Sequence, residues 1–189
     1  SLKRLRKPDG LFLPRSLTVE GKLMDGQACF QALAEGGSIL LTGPGGMGKT
    51  RFLQELLGRN MRIYRPESPA VVPLVDYQEA GEEPYYIRKW ILRGLRYSGQ
   101  AGSMDEALHE LDRLLDQGRE EGGGVVLLLD GLNEAGRKRR ALLQEMEELG
   151  NKPGVGILVT DRSDSVKEYG LRAFCTASLL PLTGEQVLR

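Results

Sequence analysis

The chain has 189 residues, 26 basic and 26 acidic, with 40% hydrophobic and 28% charged residues and 25 glycines. These values fit one globular domain, and zero net charge argues against a broad electrostatic footprint for nucleic acid. The longest apolar run, Val125 to Leu129, is far short of the ~20 residues that cross a membrane, and glycine at nearly twice the usual ~7% without a G-X-Y period excludes collagen and asks for a local cause.

Ser1 to Lys7 is basic with no apolar stretch after it, so it does not read as a signal peptide. A start at Ser1 rather than Met reads as a piece excised from a longer chain. Leu11 to Val19 reads as extended, with Pro14 arguing against a central strand. Gln27 to Glu35 reads as a short helix broken by Gly36-Gly37, and Ser38 to Thr42 as an apolar strand. After the glycine loop Gly43 to Thr50, Phe52, Leu53, Leu56 and Leu57 share a helical face that Gly58 closes. Met61 to Tyr64 and Val71 to Val75 are strand candidates, the second weakened by Pro73.

Ile87, Trp90, Ile91 and Leu95 share a helical face. Ser103 and Glu106 form a capping box before a stripe of Met104, Ala107, Leu108, Leu111, Leu114 and Leu115. His109, the only histidine, lies off that stripe and reads as a solvated surface residue. Gly122 to Gly124 is a flexible link before Val125 to Leu129, whose continuous apolar character is that of a strand buried on both faces. A helix is expected from about Ala135 to Leu149, a buried strand from Gly154 to Thr160, a weaker strand from Phe174 to Leu180 and a helix start at Thr183-Gly184-Glu185. Strands alternating with helices predict a mainly parallel central sheet covered on both faces, an α/β/α three-layer sandwich. Cys29 and Cys175 lie far apart without ligand spacing and read as reduced thiols, so the expected location is cytoplasmic.

Gly43-Pro44-Gly45-Gly46-Met47-Gly48-Lys49-Thr50 matches G-x-x-x-x-G-K-[ST], the phosphate-binding loop of P-loop NTPases. Its glycines allow left-handed turns that aim N–H groups inward, and the following helix brings its positive end to the same point. In this reading Lys49 reaches the outer phosphates of ATP or ADP, Thr50 ligates Mg²⁺ and Arg51 continues the contact surface into the helix. Asp130, at the end of a buried strand, stands at the sheet rim where α/β ligands bind. Alone it reads as a turn cap; beside the loop it reads as the second Mg²⁺ residue. Glu134, four residues on, reads either as a helix-start carboxylate or as the group that orients water against the γ-phosphate. Thr160 and Arg162, at the next strand end, are sensor candidates, with a solvated loop arginine as the plain reading of Arg162. A strand and two helices between the loop and Asp130 suit P-loop folds with an extra strand between the two motif strands. No Asn-Lys-x-Asp guanine reader follows Asp130, which favours adenine.

Together these residues resemble the NACHT family of signal-transduction ATPases, within the STAND class. The resemblance rests on the loop, on Leu128 to Glu134 as the acidic motif, on Leu158-Val159-Thr160-Asp161-Arg162 as a strand end usually written Thr-Ser-Arg, and on Leu180-Pro181-Leu182-Thr183 as the step into the next helix. Asn133 replaces one of two usual acids, and Asp161 replaces the serine. The resemblance implies a switch that exchanges ADP for ATP, self-associates through the nucleotide domain and activates an effector, with effector and sensor domains on the same chain. It also implies residues 31–189 as a nucleotide core ending before helical and winged-helix domains. Residues 1–30 would then be an extension, with Leu11 to Thr18 near the adenine. Two other readings stand beside it. One is a nucleotide-regulated scaffold without useful hydrolysis, favoured by Asn133. The other is a DNA-acting ATPase, favoured only by Arg137-Lys138-Arg139-Arg140, a run that usually marks a solvated helix face. No acceptor-substrate motif supports a phosphotransferase.

Overall fold

The computed structural model describes residues 15–60, 71–94, 102–117, 125–162 and 169–182. Three apolar runs form the centre of the sheet. They are β3 (Ser38–Thr42), β5 (Val125–Asp130) and β6 (Val155–Thr160). Alternate side chains go to opposite faces. Leu40, Leu127, Leu129, Ile157 and Val159 enter one core, while Ile39, Leu41, Val126, Leu128 and Leu158 enter the other. A strand with both faces buried has no room for a polar alternation, which is why these segments read as continuous apolar runs.

The sheet has seven strands in the order β2-β1-β7-β3-β6-β5-β4. β3, β4 (Val72–Pro73), β5, β6 and β7 (Cys175–Leu179) run parallel. Thus β6 lies between the loop strand β3 and the acid strand β5, the extra strand expected from the motif order. The Val71 to Val75 candidate shrinks to two ladder residues at the sheet edge. β1 (Ser16–Val19) and β2 (Lys22–Asp25) form an antiparallel hairpin joined to β7. Its two-residue turn, Glu20-Gly21, has φ of 49° and 79°, the doubly left-handed geometry that matches strand twist.

One face carries α1 (Gly26–Ala34) and α2 (Lys49–Asn60). Asp25 caps α1, accepting from the Ala28 amide at 2.7 Å. α1 crosses β6 over bare backbone. A Cβ at Gly156 would lie 1.9 Å from the Leu33 carbonyl oxygen, so only glycine permits this approach. α2 runs to Asn60, past Gly58, the residue at which the sequence pattern ends it. The other face carries α3 (Asp76–Glu79), α4 (Tyr86–Gly94), α5 (Met104–Asp116) and α6 (Arg140–Gly150). Helices on both faces of a mainly parallel sheet make the α/β/α sandwich expected of a P-loop NTPase.

Three local expectations change. On α5, Ala107, Leu108, Leu111 and Leu115 are buried, but Met104 and Leu114 are exposed, so the apolar face is narrower than its stripe. Ser103 accepts from Glu106 N, while Glu106 reaches back to the Gly102 amide. The helix expected from Ala135 begins only at Arg140, because Gly136 is left-handed at φ 85° and interrupts the backbone. Leu132–Glu134 is instead a single 3-10 turn. Met61 to Tyr64, Leu95, Gly122 to Gly124 and the helix start at Thr183 lie outside the described residues.

Candidate nucleotide site

The parallel sheet delivers β3, β5 and β6 to one edge with their C-terminal ends together. In such sheets that edge is where ligands bind. Between β3 and α2 the loop turns through Gly43, Gly46 and Gly48 at φ 149°, 81° and 83°, values that side chains with a Cβ rarely adopt. Pro44, Gly45 and Gly46 are exposed, and Met47 and Gly48 are half-buried. Thr42 ties the root of the loop to β7, its hydroxyl donating to the Ala177 carbonyl at 3.3 Å. Lys49 is buried and donates to the carbonyls of Gly43 and, at 2.8 Å, Pro44. Its ammonium thus folds back over the loop it would share with phosphate. Burial holds its pKa below the usual lysine value, with Arg162 adding to that effect and Asp161 and Asp130 opposing it.

Asp130 gathers two hydroxyls from separate elements. Thr50, on the first turn of α2, donates to Asp130 Oδ1 at 3.2 Å. Thr160, at the end of β6, donates to the same oxygen at 2.7 Å and accepts from the Gly131 amide at 2.8 Å. Gly131 is left-handed at φ 82°, which turns the chain sharply out of β5 and presents that amide. Thr160 therefore has both its donor and acceptor functions occupied beside Asp130. The pairing of a threonine hydroxyl with a carboxylate supplies hard oxygen donors of the kind that hold Mg²⁺ together with phosphate and water. Among the described residues no group of three or more His, Cys, Asp or Glu could hold a metal ion. A cation here would therefore take the rest of its ligands from nucleotide and water.

Glu134 ends the 3-10 turn and folds back over Gly131, where an added Cβ would meet its carboxylate at 3.2 Å. It faces Arg162, Nη2 to Oε1 at 3.8 Å, with both side chains largely exposed. The Arg162 guanidinium also lies over Gly45, about where a Cβ on that glycine would make van der Waals contact at 3.6 Å. Arg162 therefore stands between the phosphate loop and the acidic motif while remaining largely exposed. Asp161, completely buried, accepts from the Arg162 amide at 2.7 Å, and its own amide donates to Leu41 at the end of β3. Its other carboxylate oxygen is buried without a hydrogen-bond partner among the described residues. Asp161 thus fixes the backbone from which Arg162 projects.

Lys49, Thr50, Asp130, Thr160, Glu134 and Arg162 come together at this edge, as their sequence assignment requires. Arg51 does not join them in this arrangement. Its guanidinium pairs with Glu55 one turn along α2 at 3.3 Å. Arg139, from the basic run, also turns elsewhere. It donates to the Leu132 carbonyl and the Tyr169 hydroxyl and stacks on the Tyr169 ring at 4.9 Å from the centroid. Arg137, Lys138 and Arg140 are exposed, as is His109. Sequence reasoning missed Arg15, which the β1–β7 pairing carries to the loop. Its Nη1 lies 3.3 Å from the position a Cβ on Gly48 would take. Nothing local to Arg15 marks it, since its hydrogen-bond partner Leu180 is 165 positions away.

A family model described as AAA domain matches residues 33–171. That is well over half of the chain, and the chain belongs to this family of P-loop NTPases. Among solved structures it is similar to that of C. elegans PCH-2, at 18% identity and a TM-score of 0.42, over 82% of this chain and 41% of that one. The chain therefore spans less than half the length of that protein. No curated protein matches it.

Proposed function

We propose that this AAA-domain chain is the Mg²⁺-dependent, slowly ATP-hydrolysing switch domain of a NACHT or STAND signalling protein. The carrying observation is the hydroxyl-carboxylate chain Thr50–Asp130–Thr160 at the foot of the glycine loop, with Glu134 next to it. In this reading Lys49 leaves the Gly43 and Pro44 carbonyls for the outer phosphates, and Thr50 and Asp130 hold the cation. Mg²⁺, when bound, neutralises charge on the β- and γ-phosphates. Thr160 keeps Asp130 aimed and reports its position to Gly131. Glu134 orients water against the γ-phosphate, and Arg162 moves from Glu134 to that phosphate. ADP and ATP then differ in whether Arg162 is drawn off Glu134, which makes the exchange a structural signal.

Slow turnover follows from Asn133 at the second acid of the motif. Asn133 also favours a second reading, a nucleotide-regulated scaffold without significant hydrolysis. The switch reading further places the protein in the cytoplasm, with self-association through the nucleotide domain and effector and sensor domains on the same chain. Nucleic acid is not among its partners in this reading. In support, net charge is zero and Arg139, within the basic run 137–140, is committed to Leu132 and Tyr169. Phosphate release from ATP, measured with and without Mg²⁺ beside sedimentation in ADP or a non-hydrolysable ATP analogue, tests both readings. Slow Mg²⁺-dependent release supports the switch. Nucleotide binding with no release above the Lys49→Ala background supports the scaffold.

A further inference from the structure

Among the described residues, Arg15 is the one guanidinium at the glycine loop that neither motif nor resemblance assigns a role. Three observations place it. Its Nη2 donates to the Leu180 carbonyl at 2.8 Å, just past the end of β7. Its Nη1 stands 3.3 Å from the Cβ position of Gly48, the last glycine before Lys49. Its Nε is buried without a hydrogen-bond partner among the described residues. A buried polar group without a partner is costly unless a ligand or water satisfies it. Among the described residues Arg15 is thus held through Nη2, and Nη1 is the donor that stands beside the phosphate cradle.

The sheet order says which end of a nucleotide it would meet. Asp130, Thr160 and Arg162 stand on β5 and β6, to one side of β3. Arg15 precedes β1, which pairs with β7 on the other side of β3. A nucleotide whose terminal phosphate lies at Asp130 and Arg162 therefore points its nucleoside end toward β7 and Arg15. Between them, over Gly48, lies the innermost phosphate. We propose that Arg15 is a phosphate-binding residue that donates to the inner phosphate shared by ADP and ATP, opposite Arg162, which addresses only the γ-phosphate. This rests on the nucleotide-binding reading above and adds to it the assignment of the two arginines to opposite ends of the polyphosphate. Gly48 suits the role because any side chain there would press on Arg15.

The test is equilibrium titration of Mg-ADP and Mg-ATP into the full chain, R15A, R15K and R162A. Loss of charge-assisted hydrogen bonds predicts that R15A weakens ADP and ATP by the same factor, about ten- to a hundredfold. R15K, which keeps a cationic donor, falls between R15A and the parent. R162A weakens ATP and leaves ADP within about twofold. R15A also loses the Leu180 bond, so a second measurement uses the unaltered chain. Saturating ADP should slow phenylglyoxal modification of Arg15, read by mass spectrometry. ADP affinity unchanged in R15A, a loss confined to ATP, or equal modification rates with and without ADP would each overturn the assignment. If K49A loses ADP while R15A retains it, only the Arg15 assignment falls. If the unaltered chain takes up no ADP, the nucleotide reading falls with it.

Discussion

Two arginine–glutamate pairs in this molecule have the same chemistry and opposite surroundings. Arg88 and Glu145 are 3% and 4% exposed, whereas Arg162 and Glu134 are 62% and 47% exposed. The buried pair is embedded in a network. Glu145 accepts from the Ile87 and Arg88 amides at 3.0 Å each, anchoring the first turn of α4 to α6. Arg88 reaches Asp112 on α5 at 2.9 Å and Glu148 on α6 at 3.5 Å. Three helices are therefore keyed together by groups that cannot separate without stranding a charge. The exposed pair has one long contact and both partners open to solvent, so little opposes its separation. The far face of the sheet is thus locked by a buried network, whereas the loop edge carries an exposed and weakly held pair.

The largest expected effect breaks the buried side of this comparison. Glu145→Ala leaves Arg88 partly unpaired and two α4 amides without acceptors, and should cost about 3–5 kcal/mol of stability in urea unfolding. A loss below about 1 kcal/mol would mean that Asp112 and Glu148 suffice. Burial also pushes the Glu145 carboxyl above its ordinary 4.5, ahead of the amide and guanidinium contacts that pull it down. Its folded value then exceeds its unfolded one, so the stability it contributes is full below about pH 4.5 and falls as pH rises through the raised value. Glu145→Gln should flatten that slope in a pH series of urea midpoints; an unaltered slope would place the titration elsewhere.

On the exposed side the effects move from stability to chemistry. Glu134→Gln should keep nucleotide affinity and lose roughly 10²-fold or more of phosphate release. Persisting release would leave Glu134 as a plain turn-end carboxylate. The smallest expected effect concerns the pair itself. A double-mutant cycle of Arg162→Ala and Glu134→Ala should give a coupling of no more than about 1 kcal/mol in unfolding. A larger coupling would mean that this edge is as fixed as the far face.

The parts of the fold legible in the sequence are those set by local chemistry. β3, β5 and β6 stand out because strands buried on both faces carry unbroken apolar runs. The loop stands out because its left-handed turns require glycine, and that accounts for part of the glycine excess. Gly156 accounts for another part by a packing contact invisible in sequence, since only the fold brings Leu33 across it. The start of α6 is illegible because a single glycine inside a helical pattern does not reveal its φ, and Gly136 is left-handed only in the fold. Thr160 could be named as a sensor but not as the link between Asp130 and the Gly131 amide, which depends on strand register. Arg15 was illegible because a long-range strand pairing, not a motif, delivers it.

The central claim is that this edge binds the phosphates of a nucleotide through Lys49 and the Thr50–Asp130 pair. Titration of ADP into the chain and its Lys49→Ala variant, with and without Mg²⁺, tests it most directly. Charge-assisted bonds of ~1.5–3 kcal/mol each predict an affinity loss of about ten- to a hundredfold in the variant, with the variant still folded in the absence of nucleotide, as read by a cooperative melting transition. Equal ADP affinity in the two proteins would contradict the account.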